Sequence, residues 1–260
     1  MNTTITIAYM DNFRVIYTIW LREVRKFLRG RSQLVIAFCQ PMVWLFIFGT
    51  LMRYSIGNSI PNYQEYIFPG IIAQSMLFTA MFMGITLIWD REFGFLKEVL
   101  VSPISRLTLF IGKILGLSTD VMIQGLIMFP FALVIGMRVS LISFVEALPV
   151  MLLITIGLVS IGLSFASVMK SLEGFGMIQT FINLPLFFLS GSLFPLSSVP
   201  LSLRWVTDID PLTYGVDALR TIMMGNVWTP INPIYIDLGY LLVFDVLLIV
   251  VGTYLFGRTE

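Results

Sequence analysis

Residues 90–106 read DREFGFLKEVLVSPISR and form the densely charged segment between two long apolar runs. The run before this segment covers residues 67–89, and the run after it covers residues 107–137. As helices that rise about 1.5 Å per residue, both runs are long enough to cross a hydrocarbon core of about 30 Å. The stretch therefore predicts a membrane protein in which residues 90–106 form a loop that meets a soluble environment.

The composition supports this class. Hydrophobic residues make up 57% of the chain and charged residues 12%, against roughly 25% charged residues in a typical soluble domain. The chain has one cysteine, Cys39, and no histidine. These counts exclude an internal disulfide, the common metal-ligand sets and histidine-dependent acid–base catalysis. We therefore expect no metal site, no catalytic residue and no nucleic-acid partner.

The hydropathy pattern predicts an all-α polytopic membrane protein with six spans in a single transmembrane domain over residues 1–260. An N-terminal amphipathic helix within residues 1–33 leads directly into an uncleaved first span. Residues 195–237 contain five prolines yet remain apolar, which predicts re-entrant helices before the last span. The spans are expected at about 34–52, 67–89, 107–137, 147–169, 175–194 and 238–257.

The N-terminal segment carries apolar residues at helical spacing between Phe13 and Leu28, with basic residues on its other faces. This pattern predicts an amphipathic helix that lies in the membrane surface. Two roles stay open, namely anchoring in lipid alone or an additional contact between the polar face and a cytoplasmic partner. The candidate residues of this helix are Trp20, Arg22, Arg25 and Lys26.

Three charged residues fall inside predicted spans. Lys113 lies near the start of span three, where its long side chain can reach the membrane interface. Asp120 lies near the middle of that span, where an unpaired carboxylate is costly. We therefore expect Asp120 to be neutral, paired or turned toward a polar interior. Asp245, in the middle of span six, is a second intramembrane carboxylate.

Small and polar residues form stripes at helical spacing on spans three and four. Such stripes favour close packing of helices over a permeation site or a ligand site. The residues are Gly112, Gly116, Asp120 and Gln124 in span three and Gly157, Ser160, Ser164 and Ser167 in span four.

The basic residues are distributed unevenly between alternate segments of the chain. Eleven of them lie at the termini, in loop 90–106 and at Lys170, whereas four lie in the segments on the other side. By the positive-inside rule, both termini and residues 90–106 are expected in the cytoplasm, and residues 195–237 are expected outside.

The order of residues in the charged loop resembles that of a known family. Taken as a helix, residues 91–101 carry apolar side chains on one broad side, and Pro103 stops the helix because it has no amide hydrogen. The sequences REFG at 91–94, LKEVL at 96–100, SPISR at 102–106 and GK at 112–113 resemble the cytoplasmic loop motif of type 2 ABC exporter permeases. This family includes the membrane subunits of drug, polysaccharide and lipooligosaccharide exporters.

A second block is similar to the pattern before the last span of that family. It comprises FPLS at 194–197, Pro200 and DPLTYGVDALR at 210–220. Asp210 stands where the family commonly shows asparagine. The two motifs in this order, with six spans and an amphipathic N-terminal helix, extend the resemblance over essentially the whole chain.

The resemblance implies a half-transporter in which two permease copies pair and each contacts a separate cytoplasmic ABC ATPase that uses ATP and magnesium. This chain has no G-x-x-x-x-G-K-[ST] phosphate loop, so we expect it to bind no cofactor and to depend on the partner for energy. Residues 90–106 would be the coupling helix that inserts into a groove on the ATPase. The implied coupling residues are Glu92, Phe93, Leu96, Lys97, Glu98, Leu100, Pro103 and Arg106.

The resemblance also places spans two and five at the dimer interface along the substrate route. The candidate pathway residues are Gln74, Ser75, Phe78, Thr79, Gln179, Asn183, Phe82 and Phe187. The alternative is that the polar members of this set satisfy one another across helices. An extracellular gate is expected in residues 195–217, with Pro195, Pro200, Pro211 and Tyr214 as its candidates.

The implied function is export of a hydrophobic drug-like or lipid-linked molecule across a prokaryotic plasma membrane. The sequence IFPGI at 67–71 with Gln74 and Phe78 looks more like the drug-resistance branch than the polysaccharide branch. A proton-coupled secondary transporter or channel that uses Asp120 and Asp245 is an alternative. A membrane-embedded lipid enzyme is a weaker one, because these two carboxylates have no neighbouring catalytic groups in the sequence.

Overall fold

The computed structural model describes residues 2–30, 39–56, 63–94 and 104–258. These residues form helices and contain no strand, which confirms the all-α fold class. The helices are α1 (Asn2–Arg29), α2 (Gly49–Ile56), α3 (Tyr63–Met83), α4 (Ile85–Glu92), α5 (Arg106–Met128), α6 (Pro130–Val134), α7 (Leu141–Val168), α8 (Leu172–Leu189), α9 (Arg204–Ile209), α10 (Pro211–Met224) and α11 (Ile234–Gly257). A π-helical turn covers Trp44–Phe48, and 3-10 turns cover Leu196–Ser198, Leu201–Leu203 and Gly225–Val227.

Five stretches of the described residues are long and apolar enough to cross a membrane, and they correspond to predicted spans two to six. The chain is therefore a polytopic membrane protein. Spans two and three contain 30 and 29 residues, which gives each a length of about 45 Å and exceeds a hydrocarbon core of about 30 Å. The five stretches are Tyr63–Glu92, Arg106–Val134, Leu141–Val168, Leu172–Leu189 and Ile234–Gly257.

Predicted span one is only partly described, because residues 34–38 lie outside the described residues. Its remainder forms a shorter apolar helix, Cys39–Met52. A π-helical turn at Trp44–Phe48 interrupts this helix three residues after Pro41. Proline removes a backbone donor and disturbs the regular ladder of a helix, which gives a physical reason for a distortion in this region.

Serine residues begin three of the spans. The Oγ atoms of Ser105, Ser140 and Ser171 accept hydrogen bonds from backbone N–H groups three residues later, at 3.1, 3.0 and 3.2 Å. Each serine thereby satisfies one of the free donors in the first turn of its helix. Spans four and five consequently begin at Leu141 and Leu172, several residues before the predicted starts at 147 and 175.

At its other end, span five stops earlier than the sequence predicted. Helix α8 ends at Leu189 instead of continuing to 194. Gly191 adopts a φ of +75°, a left-handed conformation that glycine reaches without steric cost. The chain therefore turns at Gly191 into the series of short helices before span six. Short helices were expected in this region, while their insertion into the membrane stays a prediction.

Helix α1 packs side by side with the first turns of span three, and both helices run in the same direction. A Cβ atom on Gly116 would lie 2.7 Å from the Cβ atom of Glu23, so only glycine permits this approach. The indole Nε1 of Trp20 donates a hydrogen bond to Thr119 Oγ1 at 2.9 Å. The predicted packing stripe on span three is thus the surface on which α1 rests.

Span two is the central helix of the bundle, because 78% of its most apolar 18-residue stretch is buried. Span four lies against it and carries the second predicted stripe, where Gly157 faces Asp245 of span six. In contrast, only 17% of the most apolar 18-residue stretch is buried in each of spans five and six. These two helices therefore present broad apolar faces to lipid or to another chain.

Candidate functional site at the base of the charged loop

The first residues of the charged loop continue span two instead of forming a separate helix. Helix α4 runs through Arg91 to Glu92, and the N–H of Gly94 donates to the carbonyl of Arg91 at 3.2 Å. Gly94 has a φ of +79°, which ends the helix in the left-handed conformation typical of a C-terminal glycine. The predicted continuous helix over 91–101 is therefore wrong at its start.

The middle of this loop lies outside the described residues. This part contains the predicted coupling residues Leu96, Lys97, Glu98, Leu100 and Pro103. The two ends of the loop, 90–94 and 104–106, are described and define what we call the loop base. Phe93 in the loop base is 83% exposed, and Glu92 is also exposed. A largely exposed phenylalanine next to charged residues suits contact with another protein.

Asp90, at the end of span two, is the centre of a buried ionic network. Its carboxylate is 4% exposed and accepts hydrogen bonds from the guanidinium of Arg22 at 2.8 and 3.3 Å. The Nζ atom of Lys113 lies 2.5 Å from Asp90 Oδ2 and 3.5 Å from Glu23 Oε1. Glu23 Oε1 also lies 2.7 Å from Arg22. Two cations and two carboxylates thus connect α1, span two and span three.

Lys113 does not reach the membrane interface as the sequence predicted, since its side chain is 4% exposed. The reason is that the buried carboxylates of Asp90 and Glu23 both contact its ammonium group. They compensate for the loss of hydration that burial of this charge causes. Burial alone would lower the pKa of Arg22. Its hydrogen bonds to Asp90 and the charge of Glu23 outweigh burial and raise that pKa above its ordinary value.

Arg91 connects the loop base to the end of span four. Its guanidinium donates hydrogen bonds to the carbonyl oxygens of Met169, Ser167 and Ala166 at 2.8, 3.0 and 3.3 Å. These carbonyls belong to the last turn of a helix, where acceptors have no partner within the helix and a cation is favoured. The end of span two is thereby fixed to the end of span four.

Arg106 connects the other end of the loop base to the end of the chain. It is the first residue of span three, and its guanidinium donates to the carbonyl oxygen of Gly257 at the end of span six. The loop base is therefore attached to α1 and to spans three, four and six through charged side chains. A displacement of the loop can be transmitted to each of these helices.

The sequence predicted a functional role for only one residue of the ionic network around Asp90. Arg22 was among the candidates, whereas Glu23, Asp90 and Lys113 were not. A signal for them existed in the sequence, because Glu23 is an acid within a basic helix and Lys113 is a cation within an apolar span. Among the other candidates of α1, Arg25 and Lys26 are exposed, and the Nζ atom of Lys26 lies 5.9 Å from the Trp89 ring centroid.

The pathway candidates lie mostly inside the single chain. Spans two and five meet where Phe78 packs edge-on against Phe187, with 6.0 Å between ring centroids. Phe82 is 44% exposed, and Thr79 and Gln179 are half-buried. The buried candidates are Gln74, Ser75, Asn183 and Phe187.

The polar pathway candidates do not satisfy one another in this structure. The amide oxygens of Gln74 and Asn183 have no hydrogen-bond partner, and Ser75 bonds to the carbonyl of Ile72 in its own helix. Gln74 and Ser75 line a small cleft together with Gln40 and Trp44. The structure therefore brings these side chains near one another and leaves part of their hydrogen-bonding capacity free.

A second charged cluster lies at the opposite end of the bundle from the loop base. Arg220 is 1% exposed, and its guanidinium donates to the carbonyls of Tyr66, Gly191 and Ser192 at 3.2, 3.1 and 3.3 Å. It also lies 4.0 Å from the centroid of the Tyr66 ring. Burial lowers the pKa of Arg220, although Tyr66 and Asp217 oppose this effect. Arg220 thus connects span two, the turn after span five and α10.

The gate candidates lie in the series of short helices between spans five and six. Pro195 and Pro200 precede 3-10 turns, and Pro211 is the first residue of α10. Tyr214 stacks on Tyr240 of span six, with 3.8 Å between ring centroids, and its hydroxyl donates to the carbonyl of Asp208 at 2.8 Å. The prolines thus begin the short helices, and Tyr214 attaches α10 to span six.

The two intramembrane carboxylates lie in different places. Asp120 is 2% exposed and lines a cavity between α1, span two and span three. Asp245 is 4% exposed, and neither of its carboxylate oxygens has a hydrogen-bond partner. It lies in a cleft between span four, α10 and span six. The two carboxylates share no lining residue, so they do not form one common site.

Comparison with known proteins adds independent information. The family model described as "ABC-2 type transporter" matches residues 14–224. The chain is 27% identical over 236 residues to the ycf38 protein of Cyanophora paradoxa, an alignment that covers 86% of this chain and 81% of that protein. It is 24% identical to Nodulation protein J of Rhizobium leguminosarum bv. viciae, with 84% of each chain covered. It is also 24% identical to the inner membrane transport permease YadH of Escherichia coli (strain K12), with 88% and 89% covered.

The family match includes α1 from Arg14 onward, the charged loop and spans two to five, together with α10 and its Arg220 cluster. The similarity to the three relatives likewise extends over most of each protein, so it reflects the fold as a whole and not an isolated motif. The chain therefore belongs to the ABC-2 type transporter family, as the membrane-spanning permease part of an ABC transporter.

Proposed function

We propose that this chain is the permease subunit of an ATP-driven exporter, in which two copies pair and each binds a separate cytoplasmic ABC ATPase that uses ATP and magnesium. The observation that carries the proposal is the construction of the loop base. Phe93 is exposed, while neighbouring Asp90 and Arg91 are fixed to α1 and to spans three and four. A partner that holds Phe93 can therefore move several helices together.

In this mechanism the ATPase groove receives the loop, with Phe93, Leu96 and Leu100 as apolar anchors and Lys97 and Glu98 as orienting charges. ATP-dependent closure of the ATPase pair pushes the loop. The ionic network around Asp90 transmits the push to α1 and span three, and Arg91 and Arg106 transmit it to spans four and six. The permease copies then change their mutual angle and open the route to the opposite side.

The proposed location is a prokaryotic plasma membrane, with both termini and the loop in the cytoplasm. Three observations support this proposal. The basic residues favour the side of the loop, α1 and the end of span six both lie at the loop base, and one relative is named an inner membrane permease.

The proposed cargo is a hydrophobic drug-like or lipid-linked molecule that passes between spans two and five of the two copies. The free amide oxygens of Gln74 and Asn183 supply polar contacts, and Phe78, Phe82 and Phe187 supply apolar ones. The short helices of residues 195–237 close the outer end of this route. Stimulation of ATP hydrolysis by a panel of such molecules, measured with the reconstituted complex, identifies the cargo.

Replacement of Phe93 by alanine tests the proposed coupling. Tagged chain purified from membranes of its own host should carry an ATPase that contains a phosphate-loop sequence, and Phe93→Ala should reduce the recovered ATPase at least tenfold, because a buried aromatic anchor often contributes about 2 kcal/mol or more to binding. Trp205→Ala is the matched control, since Trp205 is 63% exposed at the other end of the bundle. Equal recovery with Phe93→Ala and the parent chain would contradict the proposal.

A further inference from the structure

A cavity between α1 and spans two and three borders both the ionic network around Asp90, through Glu23, and the proposed pathway, through Phe82. Its buried carboxylate, Asp120, has no role in either. The volume of the cavity is about 30 Å³, which is room for one or two water-sized groups. Two carboxylates, three aromatic rings and one lysine contribute to its walls. They are Glu23, Asp120, Phe27, Phe82, Trp89 and Lys26.

Asp120 is the buried acceptor of this cavity. It is 2% exposed, and its Oδ1 atom has no hydrogen-bond partner. Glu23, in contrast, already pairs through Oε1 with Arg22 and Lys113. Lys26 is exposed at the rim and forms no ion pair with Asp120; its Nζ atom lies near the Trp89 ring. A buried carboxylate oxygen without a hydrogen bond is costly, so Oδ1 of Asp120 is an available acceptor in this cavity.

The chemistry of the cavity walls indicates which group can bind there. A primary ammonium is close to water in size and carries three N–H donors, which match the free acceptor of Asp120. The aromatic faces of Phe82 and Trp89 also attract a cation. A trimethylammonium group is larger and has no N–H to donate, so it fits neither the volume nor the acceptor.

The position of the cavity indicates where this ammonium comes from. Trp89 lies within one turn of Glu92, where span two ends at the loop base. This wall of the cavity therefore lies toward the end of the bundle that carries the loop base. Trp89 is half-buried, as is common for tryptophan at the level of lipid headgroups. The cavity thus opens where amphiphiles place their polar ends.

We propose that this cavity binds the primary ammonium group of a membrane amphiphile, with Asp120 as its acceptor. Two sources offer this chemistry, namely a phospholipid with an ethanolamine headgroup and a single-chain aliphatic amine. The exposed Lys26 at the rim can bind the phosphate of the phospholipid, whereas an aliphatic amine has no group for it. The binding needs neither the ATPase nor ATP.

The test uses the full chain in lipid nanodiscs that contain equal amounts of phosphatidylethanolamine and phosphatidylcholine with identical acyl chains. Native mass spectrometry counts the lipids that stay bound. The parent chain should retain phosphatidylethanolamine at least tenfold over phosphatidylcholine, and Asp120→Asn should remove this preference, because a charge-assisted hydrogen bond typically contributes a factor of ten or more. Asp245→Asn is the matched control, since it changes another buried, unpaired carboxylate in a separate cleft and should keep the preference.

A second arm identifies the source of the ammonium. In nanodiscs without phosphatidylethanolamine, dodecylamine should raise the unfolding temperature of the parent chain and dodecanol should not. Lys26→Gln should weaken retention of the phospholipid and leave the effect of dodecylamine unchanged. An effect of dodecylamine without selective lipid retention assigns the site to a single-chain amine, which still supports an ammonium site.

The proposal is overturned if the parent chain shows neither a lipid preference nor an effect of dodecylamine, or if Asp120→Asn keeps both. Should Asp120→Asn fail to fold, Phe82→Ala provides the second variant, because Phe82 is 44% exposed at the rim and its truncation leaves the interior intact. It should weaken the lipid preference, and an unchanged preference would also count against the site.

Discussion

At the scale of single residues, Asp210 combines a favourable and an unfavourable interaction. Its Oδ1 atom accepts a hydrogen bond from the N–H of Leu212 at 2.8 Å and so caps α10. Its side chain is 2% exposed, and its Oδ2 atom has no hydrogen-bond partner. Burial raises the pKa of Asp210 well above its ordinary value. The folded protein therefore favours the protonated form.

This direction of the pKa shift predicts how stability depends on pH. A carboxyl group whose pKa is higher in the folded state contributes stability at low pH and loses it as pH rises from the unfolded value of about 3.9 through the folded value. Asp210→Asn keeps the capping oxygen and removes the ionisable group. Its unfolding temperature should therefore exceed that of the parent at pH 8, and the difference should shrink toward pH 4.

Thermal unfolding in detergent micelles at pH 8, 6 and 4 measures this difference. Asp208→Asn is a suitable control, because Asp208 is exposed two residues earlier, and it should change little across the series. A difference for Asp210→Asn that grows as pH falls would contradict the assigned direction of the pKa shift. Asparagine retains an Oδ1 acceptor for the N–H of Leu212, so the substitution is compatible with the helix cap.

At the scale of helices, the buried ions at Asp90 decide how α1 and spans two and three fit together. Lys113 contacts Asp90 and Glu23, which come from two other helices. Removal of one ion from such a network leaves an opposite charge buried without compensation, and this typically costs about 3–5 kcal/mol. The arrangement thus makes the relative position of three helices depend on charge balance.

Lys113→Met should lower the free energy of unfolding by about 3–5 kcal/mol, because Asp90 and Glu23 would then share only Arg22. The double variant Lys113→Met with Asp90→Asn leaves Arg22 and Glu23 as a balanced pair and should be more stable than Lys113→Met alone. Chemical denaturation in micelles measures both. Lys170→Met provides the comparison at an exposed turn, with an expected change within about 0.5 kcal/mol.

Two results would contradict this account of the network. One is a decrease in the free energy of unfolding for Lys113→Met that is no larger than the decrease for Lys170→Met. The other is a double variant whose loss of unfolding free energy equals the sum of the losses of the two single variants. Such additivity is expected for independent sites and not for members of one ionic network.

At the scale of the whole molecule, span five presents a broad apolar face that no other described part of the chain covers. Met177, Phe181 and Phe188 on this face are 74%, 80% and 45% exposed. Span six is equally exposed, with Tyr254 at 58%. Lipid can cover either face, so exposure alone does not locate a dimer interface. If the two copies pair through spans two and five as proposed, the exposed face of span five lies at the dimer interface and the exposed face of span six contacts lipid.

Disulfide crosslinking tests this pairing. Cys39 is the one cysteine of the chain, so Cys39→Ser gives a background without thiols. In that background, Phe181→Cys should yield a covalent dimer on oxidation in membranes. Tyr254→Cys on span six should stay monomeric. Crosslinking through Tyr254→Cys but not through Phe181→Cys would overturn the assignment of span five to the dimer interface.

The sequence by itself determined the all-α membrane class, the presence of the charged segment and the positions of spans two to six to within six residues. These features follow from local properties, since an apolar run of sufficient length must be helical in a bilayer and a charged segment must leave it. The stripe of glycines on span three also predicted close packing, because small residues permit it wherever a partner helix comes from.

Only the tertiary structure decided which charged groups meet. Lys113 was expected at the membrane interface and instead lies buried against Asp90 and Glu23. Arg22 and Asp90 are 68 positions apart, and Arg106 reaches Gly257 across 151. Such contacts depend on how helices are arranged beside one another, which no local pattern specifies. The helix end at Gly94 likewise became evident only from the backbone conformation, because glycine is compatible with both a helix and a left-handed turn.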